Sequence, residues 1–166
     1  YLNGVFYVMD ADGSIWGSGT NDFTSWTSTN VIKAQCEPDG GVCLTKYGQY
    51  IVAFGKYTTE FFYDAAVASP ASPLLAVQNS QLLIGCANGD TVAQNEATVF
   101  FVAQAKVSGQ AARRGYFVAS MEGMSYKKVS TPDIDRLLNV DGLSGAWATV
   151  LSLFGHNLYV INLPAT

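Results

Sequence analysis

Apolar and polar residues alternate one by one along most of the chain, in four segments that are each divided by turns: residues 4–18, 42–64, 97–130 and 148–163. Alternation with a period of two, rich in β-branched and aromatic residues, is typical of strands whose side chains point to the two faces of a sheet. In the first segment, Asp12 and Gly13 suit a tight turn with positive φ. The pattern predicts an all-β protein of antiparallel strands.

A similar arrangement of strands recurs about every 50 residues, a spacing typical of β-propeller blades. Val42, Val99 and Val150 each begin a strand that is followed by a turn and by a strand with large apolar side chains. A β-sandwich with similar strand spacing is the alternative. We predict a single domain over residues 1–166, a partial β-propeller of about three blades that is a fragment of a larger propeller.

The stretch YIVAFGKYTTEFFYD, residues 50–64, is apolar at positions that point to both faces of its predicted strands. The inner strands of a propeller blade lie between two neighbouring blades, so both of their faces are covered. We therefore predict that neighbouring sheets hide both faces of this hairpin.

One segment has a helical pattern. Thr131 is a suitable N-cap and Pro132 fits the first helical position, while Asp133 and Asp135 favour the positive end of the helix dipole. The segment therefore predicts one short helix over residues 131–139, and its apolar face would consist of Ile134, Leu137 and Leu138.

Residues 65–97 differ from the rest of the chain because they are rich in Ala, Ser, Pro and Asn. They predict a long loop that carries one short strand at residues 82–85. Long ordered loops in a compact domain usually serve contacts. We therefore predict that the loop 65–97 and the helix 131–139 are contact elements.

The chain is poor in charge. Charged residues make up 13% of its 166 residues, against roughly 25% in ordinary domains, which suggests that part of the surface faces other protein. The net charge of −4 argues against a nucleic-acid grip, which needs clustered cations, and we interpret Arg113–Arg114 as a solvated loop tip. No apolar run approaches the roughly 20 residues of a membrane span, so we predict no membrane anchor. The chain begins at Tyr1 rather than Met, and we interpret it as a piece of a longer polypeptide.

Three cysteines, Cys36, Cys43 and Cys86, do not make a disulfide framework, because their number is odd. Cys36 and Cys43 flank the turn CEPDGGVC and are spaced to pair, whereas reduced thiols in a protein assembled in a cytosol are the plainer interpretation. The single histidine, His156, is interpreted as a solvated turn residue, and the chain lacks the ligands of a zinc site.

Carboxylates offer two candidate sites. Asp10, Asp12 and Ser14 have the first spacings of a calcium loop, but Ile15 replaces the required glycine, so a hairpin turn is favoured. Glu60 and Asp64 lie four residues apart on one face of a strand, with Glu37 elsewhere. Nothing in the sequence makes them converge as the carboxylate pair of a glycosidase must. We predict no catalytic, cofactor or metal site, and no enzyme.

Four aromatic residues offer another candidate, a platform for stacking on sugars: Trp16, Phe23, Trp26 and Trp147. Packing between blades is the alternative role for the same side chains. A carbohydrate-binding propeller for host recognition is therefore the alternative function.

Segments 24–64, 83–104 and 126–138 resemble, in order, the packaged-DNA stabilisation proteins of short-tailed bacteriophages, also called tail accessory factors or tail hub or nozzle proteins. The matching motifs are a Trp followed by a Pro-Asp turn, then a Phe-Gly and Thr-Glu strand pair, an Ile-Gly segment, and a Ser-Thr turn before a helix. Their residues here are Phe54–Gly55, Thr59, Glu60, Phe61, Tyr63, Asp64, Ile84–Gly85, Val129–Ser130–Thr131, Ile134–Asp135 and Leu138. The resemblance covers residues 20–163, although the chain is much shorter than the family's full proteins, and we expect the N-terminal region and the remaining blades to be missing from it.

This resemblance implies a structural protein of the virion tail, assembled in the host cytoplasm. It would form a homo-oligomeric ring, expected to be six-fold, below the portal and adaptor proteins, close the channel after packaging and bind the next tail component. The resemblance implies that genomic DNA passes nearby without a specific nucleic-acid site. A mildly acidic surface fits this role, because it repels phosphate and lets DNA slide.

Overall fold

In the computed structural model, the described residues are 1–35, 37–95, 98–105 and 115–164. The strands are β1 (Tyr7–Met9), β2 (Ser14–Gly19), β3 (Asp22–Lys33), β4 (Gly41–Tyr47), β5 (Tyr50–Gly55), β6 (Thr59–Asp64), β7 (Leu74–Ala76), β8 (Ile84–Cys86), β9 (Ala93–Gln94), β10 (Val99–Ala105), β11 (Tyr116–Glu122), β12 (Ser125–Lys128), β13 (Trp147–Leu153) and β14 (His156–Asn162). The helix α1 spans Pro132–Asp141, and Gly89–Thr91 forms a 3₁₀ turn.

The strands form four antiparallel sheets in chain order. The first sheet has the order β1-β2-β3, and the second has the order β4-β5-β6-β7. The third has the order β12-β11-β10-β8, with β9 also paired to β10, and the fourth consists of β13 and β14. This arrangement confirms the prediction of antiparallel strands with one short helix.

Three apolar clusters join consecutive sheets. Between the first and second sheets the fully buried side chains include Ile15 and Phe62. Between the second and third they include Phe54 and Phe101. The third cluster joins the third and fourth sheets through α1, where Leu138 packs with Val102, Val118, Tyr159 and Ile161. The core therefore lies in three layers between sheets.

Both faces of the hairpin 50–64 are covered, as predicted. In β5, Val52 and Phe54 belong to the cluster with the third sheet, whereas Ile51 and Ala53 belong to the cluster with the first. Successive side chains of a strand point to opposite faces, so a strand between two sheets must be apolar at consecutive positions. This is the physical reason for the run of large apolar residues.

The three valines that mark the predicted repeat lie in different places in their sheets. Val42 lies in β4 at the edge of the second sheet, whereas Val99 begins β10, which has paired strands on both sides. Val150 lies in β13 of the two-stranded sheet. The inner strands β5 and β10 occupy similar positions, and the division of the chain into about three blades stays a prediction.

Helix α1 covers part of the third sheet. Leu138 is buried against Val102 and Val118, while Ile134 and Leu137 are exposed. Only one of the three residues predicted to form its apolar face is therefore buried. In the part of the chain that the structure describes, no helix has the length and apolar character needed to cross a bilayer.

Candidate functional site

The motif residues that carry the family resemblance meet where the second and third sheets cross. The carboxylate of Asp39 accepts hydrogen bonds from the backbone N–H of Tyr57 at 2.6 Å and from the Thr58 hydroxyl at 3.1 Å. The buried hydroxyl of Thr59 donates to the carbonyl of Ile84 at 2.8 Å. These residues fix the turn between β5 and β6 against β8, which is a structural role.

Gly85 lies directly over that turn. A Cβ atom at this position would be 2.3 Å from the carbonyl oxygen of Gly55 and 2.4 Å from backbone atoms of Lys56 and Tyr57. Any side chain at position 85 would therefore collide with backbone. The Ile-Gly motif thus permits the close approach of two sheets.

Asn88 connects the third sheet to the segment that precedes the fourth. Its side-chain N–H groups donate to the carbonyls of Leu143 and Ala146 at 2.9 and 3.0 Å, and its side-chain oxygen accepts from the Asp90 N–H. The Tyr159 hydroxyl in β14 donates to the carbonyl of Thr91 at 2.5 Å. Burial raises the pKa of Tyr159, so this hydroxyl keeps its proton.

Replacing Asn88 with alanine is expected to lower the free energy of unfolding by about 2 kcal/mol, because two carbonyls lose their donors. Thermal or urea unfolding measures the loss. Asn157→Ala is the control: Asn157 is exposed and accepts one hydrogen bond from Ser152, so we expect a change within about 0.5 kcal/mol. Equal losses in the two variants would contradict the connecting role of Asn88.

The residues that precede α1 form a small polar network. Ser130 accepts a hydrogen bond from the Val118 N–H at 2.9 Å and donates to the Asp135 carboxylate at 2.5 Å. Lys128 also pairs with Asp135. Thr131 occupies the N-cap position, but its side chain makes no capping hydrogen bond. The network therefore holds the start of the helix against β11.

An apolar groove of about 330 Å³ runs between α1 and the fourth sheet. Its lining combines exposed helix residues with side chains of β11 and β14 and of the loops beside them: Val118, Val129, Ser130, Ile134, Leu137, Leu138, Tyr159, Ile161 and Leu163. Ile134 and Leu137 remain 42% and 51% exposed. Exposed apolar residues that converge on a groove are typical of a protein contact surface.

In its described residues, the segment 65–97 contains three short strands and not only the one that its composition predicts. It supplies β7 to the edge of the second sheet, and β8 and β9 to the third. The short strand predicted at residues 82–85 corresponds to β8, and Leu82 forms an isolated bridge with Thr59. Its role as a contact element stays a prediction, for which the exposed side chains of Leu75 and Leu83 are candidates.

The candidate sugar-stacking platform is not assembled. Trp16, Phe23 and Trp26 belong to the first sheet, whereas Trp147 belongs to the fourth, with two sheets between them. The ring of Phe23 instead contacts Phe6, which contacts Tyr1. The sequence analysis did not predict the ring contacts of Tyr1 and Phe6, because no periodicity links these residues to Phe23.

The carboxylate candidates lie in separate places. Asp64 accepts hydrogen bonds from the Asn3 amide and the Ala66 N–H, and Glu60 lies in the same strand. Glu37 lies instead beside Asp12 and Lys33, at another depression. Within residues 1–35, 37–95, 98–105 and 115–164, no group of three or more His, Cys, Asp or Glu side chains is placed to hold a metal ion.

The turn at residues 10–14 is a hairpin held by its own side chains. Asp10 and Asp12 both accept from the Ser14 N–H, at 3.0 and 2.9 Å, and Asp12 pairs with Lys33. Hydrogen bonds with Asp10, then with Ser14 and Lys33, hold the pKa of Asp12 below its usual range. These contacts give the aspartates a structural role in the turn.

His156 is exposed at the start of β14, as expected for a turn residue. The Arg113–Arg114 pair lies outside the described residues, and so does Cys36, with its proposed pairing to Cys43. The two described cysteines, Cys43 and Cys86, are free thiols.

Comparison with known protein families decides the identity of the fold. The model of a family described as bacteriophage P22 Gp10, beta-propeller, matches residues 1–166. The chain belongs to this family. No curated protein matches it. The P22 Gp10 family is one of DNA stabilisation proteins, so this protein is a structural component of a phage virion that stabilises packaged DNA.

Membership of the P22 Gp10 family fits the stacked antiparallel sheets and makes the fold a β-propeller rather than the alternative sandwich. The family is not one of known enzymes. A virion protein contacts other virion components, and the surfaces described above are the places to seek those contacts.

Proposed function

We propose that this protein acts in the phage tail, at the head-to-tail connection, where it closes the channel after packaging and retains the DNA. The observation that carries the proposal is the apolar groove beside α1. Its lining side chains Ile134 and Leu137 are partly exposed to solvent. Its proposed occupant is an apolar segment of a neighbouring tail, portal or adaptor protein.

The net negative charge and the paired cations support a channel through which DNA passes without binding tightly to the protein. The net charge is −4, and three of the six described cations are paired with carboxylates: Lys33 with Asp12, Lys128 with Asp135, and Arg136 with Asp133. Tight phosphate binding needs clustered cations that are free to displace counterions. DNA retention by this protein would therefore come from a physical barrier and not from adhesion.

The outer face of the fourth sheet supports a larger, oligomeric propeller. Trp147, Leu151 and Leu158 point away from the third sheet and are each about half exposed. The corresponding faces of the second and third sheets are covered by neighbouring sheets. We propose that further blades cover this face and that the whole protein forms a ring. Electron microscopy of the whole protein tests this proposal, because it measures the mass and the symmetry of the ring.

A charge placed in the groove is expected to impair DNA retention. In phage particles that lack the protein, we expect Leu137→Lys to restore at least tenfold fewer DNase-resistant genomes than the wild type. A tenfold weaker contact corresponds to about 1.4 kcal/mol, and burying an unpaired charge in an apolar groove costs at least that much. Counting DNase-resistant genomes by quantitative PCR measures the effect.

Val140→Lys is the matched control, because Val140 lies on the same helix, is 76% exposed and does not line the groove. We expect it to behave as the wild type. Unfolding curves for both variants separate a binding defect from a folding defect. Full DNA retention by Leu137→Lys would refute the groove as a contact surface, and cryo-electron microscopy that places the protein away from the head-to-tail junction would refute the function.

A further inference from the structure

Two cysteines that are far apart in sequence face each other across the second and third sheets. Cys43 in β4 is paired in register with Phe54, which lies in the cluster between these sheets. Cys86 in β8 is paired with Ala103, which lies in the same cluster. Paired residues of antiparallel strands point to the same face, so both thiols enter one interface.

The backbone around the two thiols is closely packed. A Cβ atom built on Gly89 would lie 3.1 Å from the Cβ of Cys43, so the chain that follows Cys86 runs directly against Cys43. Cys86 is one of the buried residues of the cluster between the two sheets, and Cys43 packs against the same cluster. A disulfide needs Cβ atoms about 3.5–4.5 Å apart, and two cysteines that pack in one apolar cluster are the described pair with access to that geometry.

The two thiols differ in access and acidity. Cys43 is half-buried, whereas Cys86 is buried and its thiol also contacts the carbonyl of Asn88 at 3.1 Å. The hydrogen bond from Cys43 lowers the pKa of Cys86. The same hydrogen bond, with burial and the charges of Cys86 and Asp90, raises the pKa of Cys43. Cys86 is therefore the better nucleophile, and Cys43 is the one that a reagent reaches.

We propose that Cys43 and Cys86 form a disulfide that cross-links the second and third sheets, and so stabilises the fold, when the virion meets an oxidant. The protein is a virion component, and virions leave the reducing cytosol, where thiols stay reduced, for surroundings in which disulfides persist. The inference rests on this assignment and on the two facing thiols, and it is independent of the proposed place in the tail.

The oxidant is a low-molecular-weight disulfide. Cys43, after losing its proton, attacks one sulfur of the reagent, and one small thiol leaves. Cys86 then attacks the Cys43 sulfur of the mixed disulfide and displaces the second small thiol. Two protein S–H bonds are replaced by one S–S bond, and the two electrons reduce the reagent to two thiols. The raised pKa of Cys43 makes the first step slow at neutral pH.

Incubation of the folded protein with oxidised glutathione at pH 8 tests the proposal. Digestion without reductant, followed by mass spectrometry, is expected to show a peptide pair joined through Cys43 and Cys86. We expect the melting temperature to rise by about 5–15 °C and to return after dithiothreitol treatment, since closing a long loop stabilises the fold. Cys36→Ser is expected to keep the cross-link, and Cys86→Ser to lose it.

Three results would overturn the proposal. The first is a cross-link between Cys36 and Cys43, lost in Cys36→Ser and kept in Cys86→Ser. The second is continued alkylation of both Cys43 and Cys86 by iodoacetamide after prolonged oxidation, because it shows that the thiols do not join. The third is a cross-link that leaves the melting temperature unchanged, which removes the stabilising role. The peptide analysis uses the unmodified sequence, so it does not depend on the folding of a variant.

Discussion

Replacing Phe101 with alanine is expected to lower the free energy of unfolding by about 3–5 kcal/mol. Phe101 is fully buried in the cluster between the second and third sheets, and its ring centre lies 4.8 Å from that of Phe54. Its removal leaves a cavity that the two sheets cannot close, because each is held by its own hydrogen bonds and by a further neighbour. Urea unfolding followed by circular dichroism measures the loss.

Phe23→Ala is the matched control for this experiment. Phe23 lies on β3 and is 67% exposed. Its one described aromatic contact is with Phe6, which is itself exposed. We expect its replacement to change the free energy of unfolding by less than about 1 kcal/mol. If Phe101→Ala were no more destabilising than this control, the tight packing of the second sheet against the third would be wrong.

Replacing Gly85 with alanine is expected to cost about 3 kcal/mol of folding free energy, at the upper end of the range for overpacked sites. The added methyl group would meet the backbone of residues 55–57 at 2.3–2.4 Å. Backbone held in a turn by Asp39 and Thr58 has little room to move. The collision therefore either separates the two sheets or distorts β8, and thermal unfolding detects both.

Gly115→Ala supplies the comparison for Gly85. Among the described residues, no atom outside the two neighbouring positions lies within 4 Å of a Cβ at position 115, so alanine fits there. Alanine at this position lowers the conformational entropy of the unfolded chain. We therefore expect Gly115→Ala to stabilise the protein by no more than about 1 kcal/mol. A Gly85→Ala protein that melts at or above the wild-type temperature would show that the sheets do not approach as closely at this point.

The packing around Gly85 also gives a physical meaning to the family motifs. Phe54–Gly55 and Thr59 on the second sheet meet Ile84–Gly85 on the third, through one hydrogen bond and one backbone contact. In sequence these motifs are separated by the segment 65–83. In the folded chain they build the same junction between the second and third sheets.

Several features could be predicted from the sequence because they depend on local pattern. The period of two gave the long strands, and consecutive apolar positions in residues 50–64 indicated a sheet covered on both faces. Thr131 and Pro132 marked the start of the helix, which the structure begins at Pro132. The order of the family motifs gave the P22 Gp10 family, which the comparison confirmed.

Two short strands escaped the sequence analysis. β7 has three residues and β9 has two, so their alternation is too brief to separate from a loop, whereas the apolar run at residues 82–85 did indicate β8. They form because long neighbouring strands offer unpaired hydrogen-bonding groups. Their existence is therefore a property of the sheets and not of residues 65–97 alone.

By itself, the sequence determined the class of strand-rich fold, the single helix and the family, since each of these is encoded in neighbouring residues or in their order. Only the tertiary structure decided which distant groups meet. It placed Cys43 against Cys86, joined Asn88 to Leu143 and Ala146, and separated Trp147 from the aromatic residues of the first sheet. The reason is that stacking of sheets, and not chain separation, sets these contacts, and no local pattern records which sheets will face each other.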